Sequence, residues 1–262
     1  MQLEVLVSCM NQTDYSIVQK SRLTGDVLII NQCLKDCKEQ IHIGNQRIRM
    51  ISTKQHGLSN SRNLAVHLSD RDICLLCDDD EIFVSDYERI IIDSFERLGD
   101  ADIIAFNVEN KVTRLKNQTQ KIGRLQSLKL SSVQLAFRRS SIRLHNIQFD
   151  PLLGAGSGNG CGEENKFLLD CLKAGLHVYY VPQTIARLLH NDSTWFKAYD
   201  DNFFWQRGGS TRYIMGLPMS VIYGIYYILA KYPLYRNTIT ILNAAKALCS
   251  GIRDNVIGKM EG

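Results

Sequence analysis

The 262-residue sequence contains no internal repeat and no low-complexity linker, which excludes a repeat architecture and a tandem array joined by flexible segments. It has no secretory leader at its start, so its eight cysteines are expected to be reduced thiols in a cytoplasmic protein. Cys74 and Cys77 form a CxxC, but inside a strand they point to opposite faces, which removes the redox and zinc readings. Cys33 and Cys37 with His42 offer only a faint metal pattern, and buried structural thiols account for them better. The glycine-rich run 154–162 is followed by no Gly-Lys-Ser/Thr, so it is no P-loop. Its spacing is also wrong for a dinucleotide fingerprint. No Ser/His/Asp or Cys/His constellation points to a covalent nucleophile.

Charge of one sign is also scarce. The net charge is +4, and from residue 206 onward seven Lys/Arg stand against two acids. The remainder holds 24 basic against 25 acidic residues, which excludes a basic nucleic-acid face there and leaves the tail to seek an anionic partner. A hydrophobic content of 45% in a chain of this length is ordinary for a globular protein with a sizeable core.

What the sequence does have is an abrupt junction at 73–81, ICLLCDDDE. An uncharged run ends in four successive carboxylates, as expected for a buried strand that delivers Asp78, Asp79, Asp80 and Glu81 to one end of a sheet. Ligands of open α/β sheets bind outside the carboxyl ends of the strands. Neighbouring carboxylates there call for a compensating charge, and a divalent cation with a preference for oxygen meets that need. A solvated acidic turn capping the next helix is the plainer alternative.

Around this junction the chain alternates. Strands are expected at 3–9, 27–30, 47–52 and 101–108. Asp14 is placed to cap a helix ending before Gly25, and Ser59 or Asn60 to cap the helix carrying Arg62 and Asn63. Ser85-x-x-Glu88 reads as a capping box opening a helix with Ile91, Phe95 and Leu98 on one face. Residues 110–129 read as a surface loop and 132–138 as a strand. Two short strands are expected at 177–182 and 184–189, ending at His190. Such alternation implies an α/β fold, a Rossmann-like and mostly parallel sheet with helices on both faces. The expected division is a domain over 1–205 and a basic, apolar helical extension over 206–262.

Glu163 and Glu164 open a helix directly after the glycine run, where carboxylates favour the helix dipole. Beside a pliable loop such a group is also well placed as a general base. Lone histidines are mostly structural, but His190 at a strand end near the acidic turn is a candidate ligand.

Taken together, these motifs resemble family 2 of the glycosyltransferases, with the GT-A fold. The resemblance spans about 3–195 and rests on an ordered set: the opening strand through Ser8 and Cys9, the segment Gly57-Leu58-Ser59-Asn60-Ser61-Arg62-Asn63, Asp78-x-Asp80, Gly162-Glu163-Glu164, and His190 with Ser193 and Thr194. It implies inverting transfer of a sugar from a nucleotide-sugar, of the UDP type, to a hydroxyl of a saccharide or lipid-linked saccharide. It implies Mn2+ or Mg2+ on Asp80, completed by His190, with Asp78 and Asp79 on the donor and Ser8, Cys9, Gly57, Arg62 and Asn63 shaping its pocket. Glu164 is the implied base, with Glu163 beside it. The family's usual uracil-binding Asp is replaced by Asn31 and Gln32, amides able to read a nucleobase edge. A sugar nucleotidyltransferase lacks support, because residues 8–12 carry no glycine-rich phosphate loop. A sugar-binding protein without transfer activity differs by an inert base.

Residues 213–230 carry no charge, yet the run is just short of a spanning helix and holds Gly216, Pro218, Ser220, Gly224 and four tyrosines. Flanking Arg207, Arg212, Lys231 and Arg236 suit anionic head groups, so the extension is expected to touch the inner face of the cytoplasmic membrane peripherally. A buried helix pair is the alternative.

Overall fold

The computed structural model describes residues 1–111, 115–157, 159, 162–189, 198–255 and 257. The chain forms two compact units, Met1–Phe149 with Glu164–Asn191, and Asp150–Glu163 with Asp192–Gly262.

The first unit is built on a ten-stranded sheet. Its first half comprises β1 (Leu3–Met10), α1 (Ser16–Lys20), β2 (Asp26–Gln32), β3 (Cys37–Ile43), β4 (Gln46–Thr53), α2 (Leu58–Leu68) and β5 (Ile73–Asp78). There follow β6 (Glu81–Phe83), α3 (Tyr87–Arg97), β7 (Ile103–Glu109), β8 (Gln120–Lys121) and α4 (Arg124–Ser127). A 3-10 turn at Ser132–Gln134 leads into β9 (Leu135–Arg138), α5 (Arg139–Leu144), α6 (Glu163–Lys173) and β10 (Val178–Leu188). The strand order is β3-β4-β2-β1-β5-β9-β7-β10-β6, with β8 on β10. Strands β4, β2, β1 and β5 run parallel, as do β7 and β10, while β9 lies antiparallel between β5 and β7. This is the expected α/β fold.

Alternation within the strands builds the two layers. Val5, Val7, Ile29 and Cys77 pack with Ile17 of α1 and Ile91 and Phe95 of α3. Leu6, Leu28, Ile30 and Cys74 pack with Ala65 of α2 and Phe167, Leu168 and Cys171 of α6. Cys74 and Cys77 thus face opposite layers, and each such apolar side chain contributes about 1.5–3 kcal/mol on burial. At the N-terminal ends of β1, β2 and β4, away from the acidic turn, an ion network ties strands together: Arg49 donates to the fully buried Glu4 at 2.7 Å, and Arg47 bridges Asp26 at 3.2 Å and Asp70 at 2.6 Å.

Several local expectations need correction. Gly57, at φ 108°, rather than Ser59 or Asn60 precedes the first turn of α2. Ser85 and Glu88 form no capping box, because Glu88 is drawn to the Thr24 hydroxyl and Asp86 precedes α3. Asp14 accepts at 2.8 Å from the N–H of Ser16, the first residue of α1, while Tyr15 rather than Asp14 directly precedes the helix. The two strands expected around 183 are one, β10, whose register shifts near Pro182, a residue without an N–H to give the ladder. Residues 110–129 include β8 and α4 rather than loop alone.

The second unit contains α7 (Asp201–Ala230), α8 (Tyr232–Tyr235) and α9 (Ile241–Asp254). Asp200 caps α7, accepting from Phe203 N–H at 2.7 Å, and the helix breaks at Gly216, where φ is 75° and ψ 173°. Pro218 follows the break, where a missing N–H costs little. Helix α9 crosses α7 through glycines, with Phe204, Tyr227, Tyr235, Leu248 and Ile252 in the shared core. In the same unit Tyr213 donates to Asp150 at 2.7 Å.

Candidate active site

The parallel strands reverse direction of progression at β1, with β2 on one side and β5 on the other. That is a topological switch point, and there Ser8 pairs in register with Asp78. Helix α2 runs from the same rim. Its Ser61 donates to Ser8 Oγ at 2.9 Å, and Arg62 Nη2 reaches Asp78 Oδ1 at 3.0 Å and Ser132 Oγ at 2.8 Å. The Arg62 guanidinium also lies over the Phe149 ring, 5.5 Å from its centroid. Ser8, Arg62 and Asp78 are therefore one assembly.

The amides stand differently. Asn31 is fully buried and uses both amide hydrogens within the protein, on Gln12 C=O at 2.9 Å and Ser52 Oγ at 3.2 Å, while its Oδ1 accepts from Gln12 N–H at 2.9 Å. Gln32 Oε1 accepts from Gly57 N–H at 2.7 Å, fixing the left-handed residue that starts α2. Asn63 clamps the backbone of Phe149 from both sides, at 2.7 and 2.8 Å. These three hold the loops that rim the switch point.

The acidic turn is electrostatically tense. Glu81 is wholly buried and takes Asp78 N–H at 2.8 Å, which closes the turn. Burial first, and the Asp78 charge next, push its carboxyl well above the usual range, and its Oε1 has no hydrogen-bond partner among the described residues. Desolvation and then Asp78 also raise Asp79. The Cys9 thiol is pushed up to about 12 by burial and by Asp79, so it is no nucleophile. Among the described residues no three His, Cys, Asp or Glu side chains converge as a ready-made metal cage. The oxygen donors and surplus negative charge do suit a hard cation of the kind held by one or two carboxylates plus ligand phosphates. His190 lies outside the described residues.

Glu163 and Glu164 form the first turn of α6; Glu163 is buried and Glu164 half-buried. Glu163 belongs to the second unit, where its carboxyl packs on Gly154, a glycine at φ 93° whose Cβ would come within 3.2 Å of it. The loop there is self-bonded among its described residues, with Gly154 N–H on Asn159 C=O and Ser157 Oγ on Gly154 C=O. Gly158, Gly160 and Cys161 lie outside the described residues. Reading by sequence missed Ser52, Ser132 and Phe149, which no local pattern marks. Ser61 lies inside the 57–63 motif without a marked role, and Glu81, expected at the sheet end with Asp78, Asp79 and Asp80, is instead buried and closes the turn.

The switch point of this α/β sheet thus carries an acidic turn beside a buried arginine. The model of glycosyl transferase family 2 matches residues 3–151, more than half of the sequence, and the chain belongs to that family. Comparison with curated proteins gives no match. Among solved structures the chain is similar to S. aureus TarS 1–349, with a TM-score of 0.56 at 10% identity over 80% of this chain and 64% of that one. The same fragment in complex with UDP-GlcNAc gives 0.60 at 11% identity, covering 91% and 74%, and that with UDP gives 0.56 at 12%, covering 82% and 67%. The chain thus spans just under two thirds of the first of these. At such identities the likeness establishes the GT-A fold.

Proposed function

We propose that the chain transfers a hexosyl or N-acetylhexosaminyl group from a UDP-sugar to a hydroxyl of a saccharide or lipid-linked saccharide, with inversion, in polysaccharide or glycolipid synthesis. The observation that carries the reading is the joining of Ser8, Arg62 and Asp78 at the switch point, in a chain of this family. The UDP-GlcNAc and UDP bound by the TarS fragment support a uridine donor. In this reading Ser8, Cys9, Gly57, Arg62, Asp78 and Asp79 line the donor pocket, while Asn31, Gln32 and Asn63 hold its walls. Asp80, with His190, would hold Mn2+ or Mg2+, which would supply Lewis-acid neutralisation of the leaving diphosphate. Glu164 takes the acceptor hydroxyl proton as the new C–O bond forms at the anomeric carbon. The bond from that carbon to the diphosphate oxygen breaks on the opposite face, so one displacement inverts the centre.

Residues 1–205 act as the catalytic domain and 206–262 as an extension touching the inner face of the cytoplasmic membrane. Gly216 divides α7, so neither half, at about 1.5 Å per residue, reaches across the roughly 30 Å of a hydrocarbon core. That supports peripheral contact over spanning, although the helix as a whole is long and apolar enough and its most apolar stretch is only 22% buried.

The test is a thermal-shift screen of UDP and UDP-sugars with and without Mn2+, joined to single-turnover transfer. UDP should raise the melting point more with Mn2+, and Asp80→Asn should erase that increment while leaving the unliganded melt unchanged. Glu164→Gln should keep donor binding and lose on the order of 10²–10⁴ in transfer, with Glu163→Gln less affected. The reverse ranking would move the base to Glu163, and no response to any uridine nucleotide would overturn the reading.

A further inference from the structure

Within the second unit, α7 and α9 enclose a groove of about 680 Å³. Its wall is apolar, formed chiefly by Leu217, Val221, Ile225, Leu248 and Ile252, and the volume lies in the range of small-ligand sites. Val221 and Ile225 are 45% and 59% exposed, so this wall opens onto solvent rather than closing as core. The apolar surface continues through Ile222, Leu229, Leu234 and Leu242, all more than half exposed. Soluble proteins seldom leave such a patch without an occupant.

The groove also has a polar lining. Arg212 and Arg253 line it, and Arg212 makes no ion pair or side-chain hydrogen bond among the described residues. Arg253 is turned to Asp254 at 3.2 Å and Ser250 at 3.1 Å, exposed and able to swing. Asn255, a further lining residue, ends α9 at φ 44°, and its buried Oδ1 has no hydrogen-bond partner among the described residues. An apolar trough that two guanidinium groups also line matches one chemistry.

We propose that this groove binds a single-chain amphiphile: an acyl or polyprenyl chain along the apolar wall, with its phosphate on Arg212 and Arg253. Charge complementarity selects this occupant over a second copy of the chain. The described part of this unit from Asp201 onward carries Arg207, Arg212, Lys231, Arg236, Lys246 and Arg253 against only Asp201 and Asp254. A twofold contact would set those cations against their own images. An anionic head group meets them with opposite sign. The proposal stands apart from glycosyl transfer, because occupancy is measured with no nucleotide present.

The experiment is calorimetric titration of the full chain with dodecyl phosphate below its micelle concentration, with inorganic phosphate and dodecyl maltoside as the tail-less and uncharged probes. Saturable binding of one dodecyl phosphate is expected, with both comparators weaker by at least about tenfold, since each lacks one half of the match. Arg212→Gln should weaken dodecyl phosphate by about fivefold or more and leave the maltoside unchanged. Val221→Glu, at an exposed position, should remove binding while circular dichroism shows the native helix content. The absence of saturable binding by the unmodified chain overturns the proposal. So does equal affinity for dodecyl phosphate and dodecyl maltoside, or a lipid-free dimer that Val221→Glu dissociates, which would hand the groove to a second copy. The three-probe comparison on the unmodified chain decides the matter even where a variant fails to fold.

Discussion

Arg62 Nη2 lies 3.0 Å from Asp78 Oδ1 although the arginine is only 1% exposed and the carboxylate keeps 27% of its side-chain surface in solvent. A buried cation thus faces a partly wet anion, and the arginine depends on the pair more than the aspartate does. Arg62→Ala should destabilise the protein by about 3 kcal/mol, the low end for breaking a buried pair, because the stranded Asp78 can still hydrate. Urea unfolding measures it. A loss below about 1 kcal/mol would mean that the pair with Asp78 and the contacts to Ser132 and Phe149 together contribute little net stability.

Much of this geometry was legible in the chain, and the reasons are physical. The four parallel strands are apolar runs stopped by polar residues, and Asp78, Asp79 and Asp80 after Cys77 mark a strand end that reaches solvent, while Glu81 folds back into the interior. Strand β3 left no such mark. Its side chains between Lys38 and Ile43 are exposed or half-exposed, so the hydrophobic pattern that announces a strand is missing. Strand β6 is three residues long and exists only because β10 pairs with it. The role of Asn31 was equally hidden, since Gln12 reaches it from the loop after β1 and Ser52 from β4, and no local spacing encodes them.

That hidden role yields a test of what stands in for the family's usual aspartate. Asn31→Asp restores the familiar residue but removes both Nδ2–H donors and sets a carboxylate against Gln12 C=O, although the Ser52 hydroxyl can turn to donate. Leaving a buried acceptor unmet costs about 1–3 kcal/mol. The variant should therefore melt lower and gain no affinity for UDP in calorimetry. Tighter UDP binding with an unchanged melt would show that position 31 reads the base directly.

The ion network at the other end of the sheet sets an acid limit. A hydrogen bond from Arg47, ahead of the charges of Arg47, Arg49 and Arg71, lowers the Asp70 carboxyl from 3.8 to about 2. A depressed value in the folded state means that the stabilisation is complete above 3.8 and is lost as pH falls toward about 2. The side chain is 48% exposed, so screening holds the gain to roughly 1 kcal/mol or less. Asp70→Asn should be the less stable protein at neutral pH, with the gap closing across that window in urea melts taken at successive pH values. A constant gap would assign the loss to packing rather than to charge.

The crossing of α7 and α9 gives the sharpest contrast between two substitutions of one kind. A Cβ built on Gly251 would stand 1.9 Å from the Trp205 carbonyl oxygen and 3.0 Å from Gly209 N, so backbone rather than a flexible side chain blocks it. Gly208 is likewise closed off by Leu248 C=O at 2.2 Å. Alanine is the better helix former by about 1 kcal/mol, and in an isolated helix Gly251→Ala would stabilise. Here the clash must drive the helices apart, and with them the packing of Phe204 on Tyr235, whose rings sit 4.9 Å apart. A net loss of about 3 kcal/mol or more follows, the upper end for overpacking, because no rotamer change can relieve a backbone contact. Gly99→Ala, where nothing lies within 4 Å and φ is not left-handed, should stay within about 0.5 kcal/mol of the parent. Urea melts of the two variants side by side decide it. Equal stability of both would mean that the helices cross further apart than these glycines require.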